Sequence, residues 1–217
     1  MKGIPIPGGT IAETMRQIAR ALAAAGQSDA ASEARWLMRA ALGLSAADLV
    51  SRSDIAVTEA QREQLAAFLQ RRLRHEPLSR IVGTREFYGR AFEITPATLD
   101  PRPDTETLID AALDMLGVDA CKRALRILDI GSGTGCILIT LLAEIEHATG
   151  VATDLSAEAL DVATRNATRH GLAQRAIFVQ TDLASAVEGP FDIVVSNPPY
   201  IRSGEVEKLA PDVRDYD

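Results

Sequence analysis

Cysteine and histidine are scarce in this chain of 217 residues, and each shortage closes off a class of chemistry. The two cysteines, Cys121 and Cys136, form neither a metal-ligand spacing nor a disulfide framework. Cys136 opens a helical pattern, where a thiol pKa can be lowered, but a small buried residue is the expectation for the position. The three histidines, His75, His147 and His170, are scattered, so neither a metal site nor a histidine base is expected. No stretch approaches a membrane span, and no charged-then-apolar signal segment opens the chain. A cytoplasmic protein with no membrane partner is expected. Basic charge is also in deficit, with 23 Lys and Arg against 30 Asp and Glu, a formal charge of −7. That balance argues against general affinity for nucleic acid. No internal repeat or low-complexity tract stands out. The hydrophobic fraction, 47%, is enough for a packed core, in one large domain or two modest ones.

Chemistry is concentrated near the end of the chain. The apolar run Phe191-Asp192-Ile193-Val194-Val195-Ser196 reads as a buried strand, and Asn197-Pro198-Pro199-Tyr200 follows it directly. Two prolines cannot donate backbone hydrogen bonds and hold φ fixed. The residue before a proline is pushed out of the helical region, which sets Asn197 in an extended pose. A stiff shelf results, presenting one amide side chain and free backbone carbonyls. Such a shelf can grip the two N–H groups of a planar –NH2 and aim its nitrogen at an electrophile. The same residues also serve as a plain strand stop.

A second motif lies upstream. Arg126-Ile127-Leu128-Asp129-Ile130 is a short apolar run that meets Gly131-Ser132-Gly133-Thr134-Gly135, and a helical pattern runs from Cys136 to about Glu144. Strand, glycine turn and helix form the setting in which a loop binds a nucleotide-like cofactor. A dinucleotide fingerprint needs glycine where Cys136 stands, and a phosphate loop needs Lys-Ser/Thr after its last glycine. A G-x-G-x-G turn preceded by an acid fits a cationic, phosphate-free cofactor such as S-adenosylmethionine. After a further run, Gly150 to Thr153, comes Asp154, about twenty residues past the turn, where an acid can hold ribose hydroxyls. Ser156 then caps a helix with the apolar stripe Ala159, Leu160, Ala163 and Ala167, stopped at Gly171. Ala176–Gln180 reads as a third strand. Beyond it, Asp182 and Leu183 stand where an adenine ring meets a polar acceptor and an apolar wall, or simply punctuate a loop. Strands alternating with helices predict an α/β fold, a parallel sheet with helices on both faces, and its ligand sites at the carboxyl ends of the strands.

Taken together, Gly131 to Gly135, Asp154 and Asn197 to Tyr200 resemble a class I S-adenosylmethionine-dependent methyltransferase (Rossmann-like) acting on an amino group. Arg85-Glu86-Phe87-Tyr88-Gly89 and Leu99-Asp100-Pro101-Arg102-Pro103-Asp104-Thr105-Glu106 narrow this. With them, the chain resembles the HemK-type protein-(glutamine-N(5)) methyltransferases of peptide chain release factors from about Thr10 to Asp217. The resemblance implies methylation of the side-chain amide of the glutamine in a Gly-Gly-Gln loop, with release factors as partners. It implies that Asp129, Gly131, Ser132, Gly133, Thr134 and Gly135 wrap the cofactor, that Asp154 binds its ribose diol, and that Asp182 with Leu183 border its adenine. Some relatives carry tryptophan where Leu183 stands, which would weaken stacking here. The Asn197 side chain and the Pro198 carbonyl would accept the substrate N–H bonds, with Pro199 and Tyr200 completing the grip. Asn197, Pro198 and Tyr200 are the catalytic candidates.

Residues 1–78 read as a helical bundle. Thr10 with Glu13 and Thr58 with Gln61 form capping boxes, Ser45 caps a short helix, and Gly26 and Gly43 are stops. Trp36 and the methionines are expected in its core, with contact to a partner left open for Trp36, and Arg71-Arg72-Leu73-Arg74 at a solvated helix end. The resemblance assigns this domain to receiving the release factor. Residues 79–100 read as a hairpin-like linker turning near Tyr88-Gly89, and 101–217 as the cofactor-binding domain. Four strands are countable, in an order that puts Phe191–Ser196 at an edge. That run is apolar on both faces, as in a central strand, so C-terminal strands are expected to be missing and activity weak. Two other readings stay open. One is an amino methyltransferase on adenine or guanine, which requires base flipping, stacking residues and a basic groove. The other is a non-catalytic binding module.

Overall fold

Three capping boxes set the starts of three N-terminal helices in the computed structural model, which describes residues 5–117 and 119–198. In α1 (Ile11–Ala24) the Thr10 hydroxyl accepts the Glu13 N–H, and the Glu13 carboxylate accepts the Thr10 N–H. Ser45 with Asp48 does the same for α3 (Ala46–Ser51), and Thr58 with Gln61 for α4 (Glu59–Arg72). Each pairing satisfies two of the N–H groups that a helix start leaves without partners. Between them, α2 (Ala30–Leu42) ends at Gly43 in the left-handed conformation. Ile18, Leu22, Leu37, Met38, Leu65 and Leu69 are buried together as the core of this unit.

Two expectations for this unit are corrected. Trp36 is 40% exposed, with the Arg39 guanidinium 5.0 Å above its ring. The buried stripe of α2 runs through Ala34, Leu37 and Met38, and position 36 falls beside it. The basic cluster is not merely solvated either. Arg72 pairs with Glu33 at 2.8 Å, both side chains being largely buried, and also donates to Gln27. Arg71 clasps Glu76 and donates to the carbonyls of Arg80 and Ile81. These bonds tie the end of α4 to α5 (Leu78–Val82), a short helix not legible in the sequence.

A second unit begins at Gly83. The antiparallel hairpin β1 (Thr84–Phe87) and β2 (Arg90–Glu93) turns through Tyr88 and Gly89, both at positive φ, as a two-residue hairpin loop matched to strand twist requires. Phe87 and Phe92 meet edge to face and are buried in the second core. A 3-10 turn, Pro103–Thr105, leads into α6 (Glu106–Leu116). The Tyr88 N–H donates to Glu106 and its hydroxyl to Asp110, so the hairpin turn is fastened to α6.

The sheet follows: β3 (Arg126–Ile130), α7 (Cys136–Glu144), β4 (Thr149–Asp154), α8 (Ala157–Arg169), β5 (Ala176–Gln180) and β6 (Ile193–Ser196). All pairings are parallel and the order is β5-β4-β3-β6. Consecutive residues of β4, Gly150 to Thr153, are buried, so both faces of this inner strand are covered, while Ile177 of β5 and Val194 of β6 are exposed. Cys136 through Leu142 of α7 are all buried. Burial pushes the Cys136 thiol up to about 12, so it is an inert core residue. Among the described residues β6 borders β3 alone; Val195 is buried and Val194 is 55% exposed.

Candidate active site at the carboxyl ends of the strands

The strand order lines up the tips that carry the candidate residues. From one side to the other come Asp182 and Leu183 after β5, Asp154 ending β4, the glycine turn after β3, and Asn197 after β6. Backbone bonds lock neighbouring tips together. The Gly131 and Ser132 N–H groups both donate to the Thr153 carbonyl at 2.9 Å, and the Thr181 N–H donates to the Asp154 carbonyl at 3.0 Å. The Ser196 hydroxyl donates to the Ile130 carbonyl at 2.8 Å. Because Ile130 and Ser196 are register partners, Asn197 leaves its strand beside Gly131.

Within the turn, residues divide by direction. Gly131 and Gly133 have positive φ, and a Cβ on either would meet nothing within 4 Å, so their backbone borders open space. Gly135 also has positive φ, but a Cβ there would press on Ile139 and Ala163; its space belongs to the contact between α7 and α8. Ser132 and Thr134 are buried. The Ser132 hydroxyl donates inward to Asp129 at 2.7 Å.

Asp129 is fully buried beneath the turn. One of its oxygens accepts from Ser132 and from the Leu138 N–H, while Oδ1 has no hydrogen-bond partner among the described residues. Burial raises its carboxyl to about 6, the two bonds opposing and the nearby Asp154 charge adding to the rise. Asp154 accepts from Gly133 N–H through one oxygen and from Ser156 N–H through the other, both at 2.9 Å. A carboxylate has about four lone-pair sites, so capacity for a ligand hydroxyl remains. Asp182 and Leu183 are exposed. Leu183 takes φ +50, a conformation uncommon for a residue with a branched side chain and worth tracing to a ligand.

Asn197 is half-buried, and its Nδ2 donates to the Thr105 hydroxyl at 3.0 Å. Pro198 is exposed. Pro199 and Tyr200 lie outside the described residues.

One more residue organises the site without being legible as a site residue. Asn166 is fully buried in α8; its Nδ2 donates to the Thr134 carbonyl at 2.9 Å and the Glu93 carbonyl at 3.3 Å, and its Oδ1 accepts the Glu93 N–H at 2.7 Å. It thereby joins the hairpin, α8 and the glycine turn. The available signal is a polar residue inside the stripe formed by Ala159, Leu160, Ala163 and Ala167.

The PrmC N-terminal domain family matches residues 13–83, and the methyltransferase small domain family matches residues 106–211. A release factor glutamine methyltransferase of Bradyrhizobium diazoefficiens is 45% identical over 98% of this chain and 72% of its own length. One from Agrobacterium fabrum is 40% identical over 96% of this chain and 72% of its own. The chain belongs to the release factor glutamine methyltransferase family. In this member of the release factor glutamine methyltransferase family, the first matched segment covers the helices α1 to α5. The second covers α6 and the parallel sheet. Residues 84–105, which hold the hairpin and Thr105, fall between the two matches.

Proposed function

We propose that this chain transfers a methyl group from S-adenosylmethionine to the side-chain amide nitrogen of the glutamine in the Gly-Gly-Gln loop of a peptide chain release factor. The observation that carries the reading is the placement of an amide acceptor, Asn197, next to an open glycine turn above an acid short of a partner. The residues present fit the methyl donor. Gly131 and Gly133 leave space for it, and Asp129 retains an oxygen without a bond among the described residues, which suits a positively charged ligand. Gly131, Gly133 and Asp154 would hold its methionine and ribose, and Asp182 with Leu183 its adenine. When bound, S-adenosylmethionine supplies a methyl on a sulfonium sulfur that departs as a neutral thioether.

The chain's own residues do the rest. A carboxamide nitrogen is a poor nucleophile because its lone pair is shared with the carbonyl. Asn197 Oδ1 and the Pro198 carbonyl each accept one substrate N–H, which pushes electron density onto nitrogen and strengthens as positive charge develops there. The substrate nitrogen, its two N–H bonds held by Asn197 and the Pro198 carbonyl, would take the methyl that the donor supplies and release one N–H proton to solvent. Orientation by a backbone fixed at proline supplies much of the rate. The helical unit up to Val82 serves to receive the release factor, and the unit from Gly83 on, its hairpin included, to hold the methyl donor. No helix among the described residues is long and apolar enough to cross a membrane.

Incubating the protein with methyl-labelled S-adenosylmethionine and either a release factor or DNA tests the reading. Label is expected on the glutamine of the factor; label on DNA, or on neither substrate, overturns it. Two further outcomes follow from the donor site. Asp154→Ala is expected to weaken donor binding by ~1.5–3 kcal/mol, since hydrogen bonds involving a charged group are lost. Calorimetry showing unchanged affinity would remove Asp154 from the site.

Donor binding is also expected to depend on pH through Asp129. The folded chain keeps this proton up to pH about 6, whereas the ordinary carboxyl loses it near 3.8. Between those values the folded state binds more protons, so this group's contribution to stability falls as pH rises. A cationic ligand favours the ionised form, so donor affinity should tighten roughly tenfold from pH 5 to 7. The Asp129→Asn variant should flatten that profile; a profile that is already flat in the parent protein would refute the coupling.

A further inference from the structure

We infer that Thr105 is the positioning residue for Asn197, holding its amide so that the oxygen is turned toward substrate. The inference rests on the function proposed above and extends it to a residue that lies between the two matched family segments. An asparagine side chain has two chemically opposite ends that differ little in shape, and only the carbonyl end can accept a substrate N–H. The Nδ2 end is committed to the Thr105 hydroxyl at 3.0 Å, across 92 residues of sequence. Thr105 is itself buried and closes the 3-10 turn Pro103–Thr105, whose start is fixed by proline and whose Thr105 N–H donates to the Arg102 carbonyl. α6 continues from that turn and is anchored to the hairpin through Glu106 and Asp110. The threonine hydroxyl is therefore mounted on a rigid element and acts on the half-buried amide opposite.

Thr105→Val keeps the shape and removes the acceptor, while Thr105→Ser keeps the acceptor. With wild-type glutamine methylation as the control, Thr105→Val is expected to lower kcat roughly tenfold, with donor affinity and Tm nearly unchanged. Thr105→Ser should retain kcat within about twofold. On the Asn197→Ala background, Thr105→Val should cause no further loss, because the group it orients is gone. Wild-type kcat in Thr105→Val, a serine variant as impaired as the valine one, or multiplicative losses in the double variant would each overturn the assignment. Should Thr105→Val fail to fold, Thr105→Ala takes its place in the same comparison with serine. A wild-type protein that does not methylate glutamine would refute the functional reading itself, a result distinct from all of these.

Discussion

Replacing Asn197 with alanine is expected to lower kcat by roughly 10²–10³-fold, the effect of losing one preorganised dipole worth ~2.7–4 kcal/mol in the transition state. Among the described residues the side chain makes one hydrogen bond, to Thr105, and it sits after the last residue of β6. Its removal should leave the sheet's pairing intact, so folding and donor binding should survive. The loss belongs in kcat because the N–H bonds become stronger donors only as nitrogen gains positive charge. Single-turnover methylation of a release factor, with donor affinity measured in parallel, checks this. A variant that turns over at near wild-type rate would dismiss the amide acceptor from the mechanism.

The second large effect concerns stability. Asn166→Leu is similar in size but deletes the three bonds that reach the Glu93 N–H, the Glu93 carbonyl and the Thr134 carbonyl. Unsatisfied buried polar groups cost ~1–3 kcal/mol each, and partial rearrangement of the hairpin recovers some of this. The expected net destabilisation is on the order of 3 kcal/mol. Urea unfolding should show a lower midpoint with an unchanged slope. A midpoint equal to wild type would mean that Asn166 does not join these elements in solution.

Much of the α/β unit is legible in the sequence because glycines and capping residues bracket its apolar runs. β3, α7 and β5 occupy the residues the pattern predicts, and Ser156 caps α8, accepting the Ala159 N–H. Parallel pairing, and the place of β6 at the border of the sheet among the described residues, are likewise readable from the alternation of strands and helices. What was not legible depends on side chains meeting across long stretches of chain. The bond from Asn197 to Thr105 leaves no local trace, and the three bonds of Asn166 leave only a polar residue inside an apolar stripe. The inward turn of the Ser132 hydroxyl is set by the buried acid, and the Thr134 carbonyl is held by Asn166, neither of them by the glycine spacing. Trp36 and Arg72 show the same limit in the helical unit. An aromatic residue on an amphipathic helix looks like core until the stripe's phase is known, and an arginine at a helix end looks solvated until a distant Glu33 reaches it.

The sealing of α7 has an outcome for how this protein breathes. From Cys136 to Leu142 every side chain is buried, Cys136 being the most open at 6%, so wetting that stretch requires its neighbours to move away. Its amide hydrogens then trade with deuterium only when the entire α/β body comes apart, which makes them an internal clock for global unfolding.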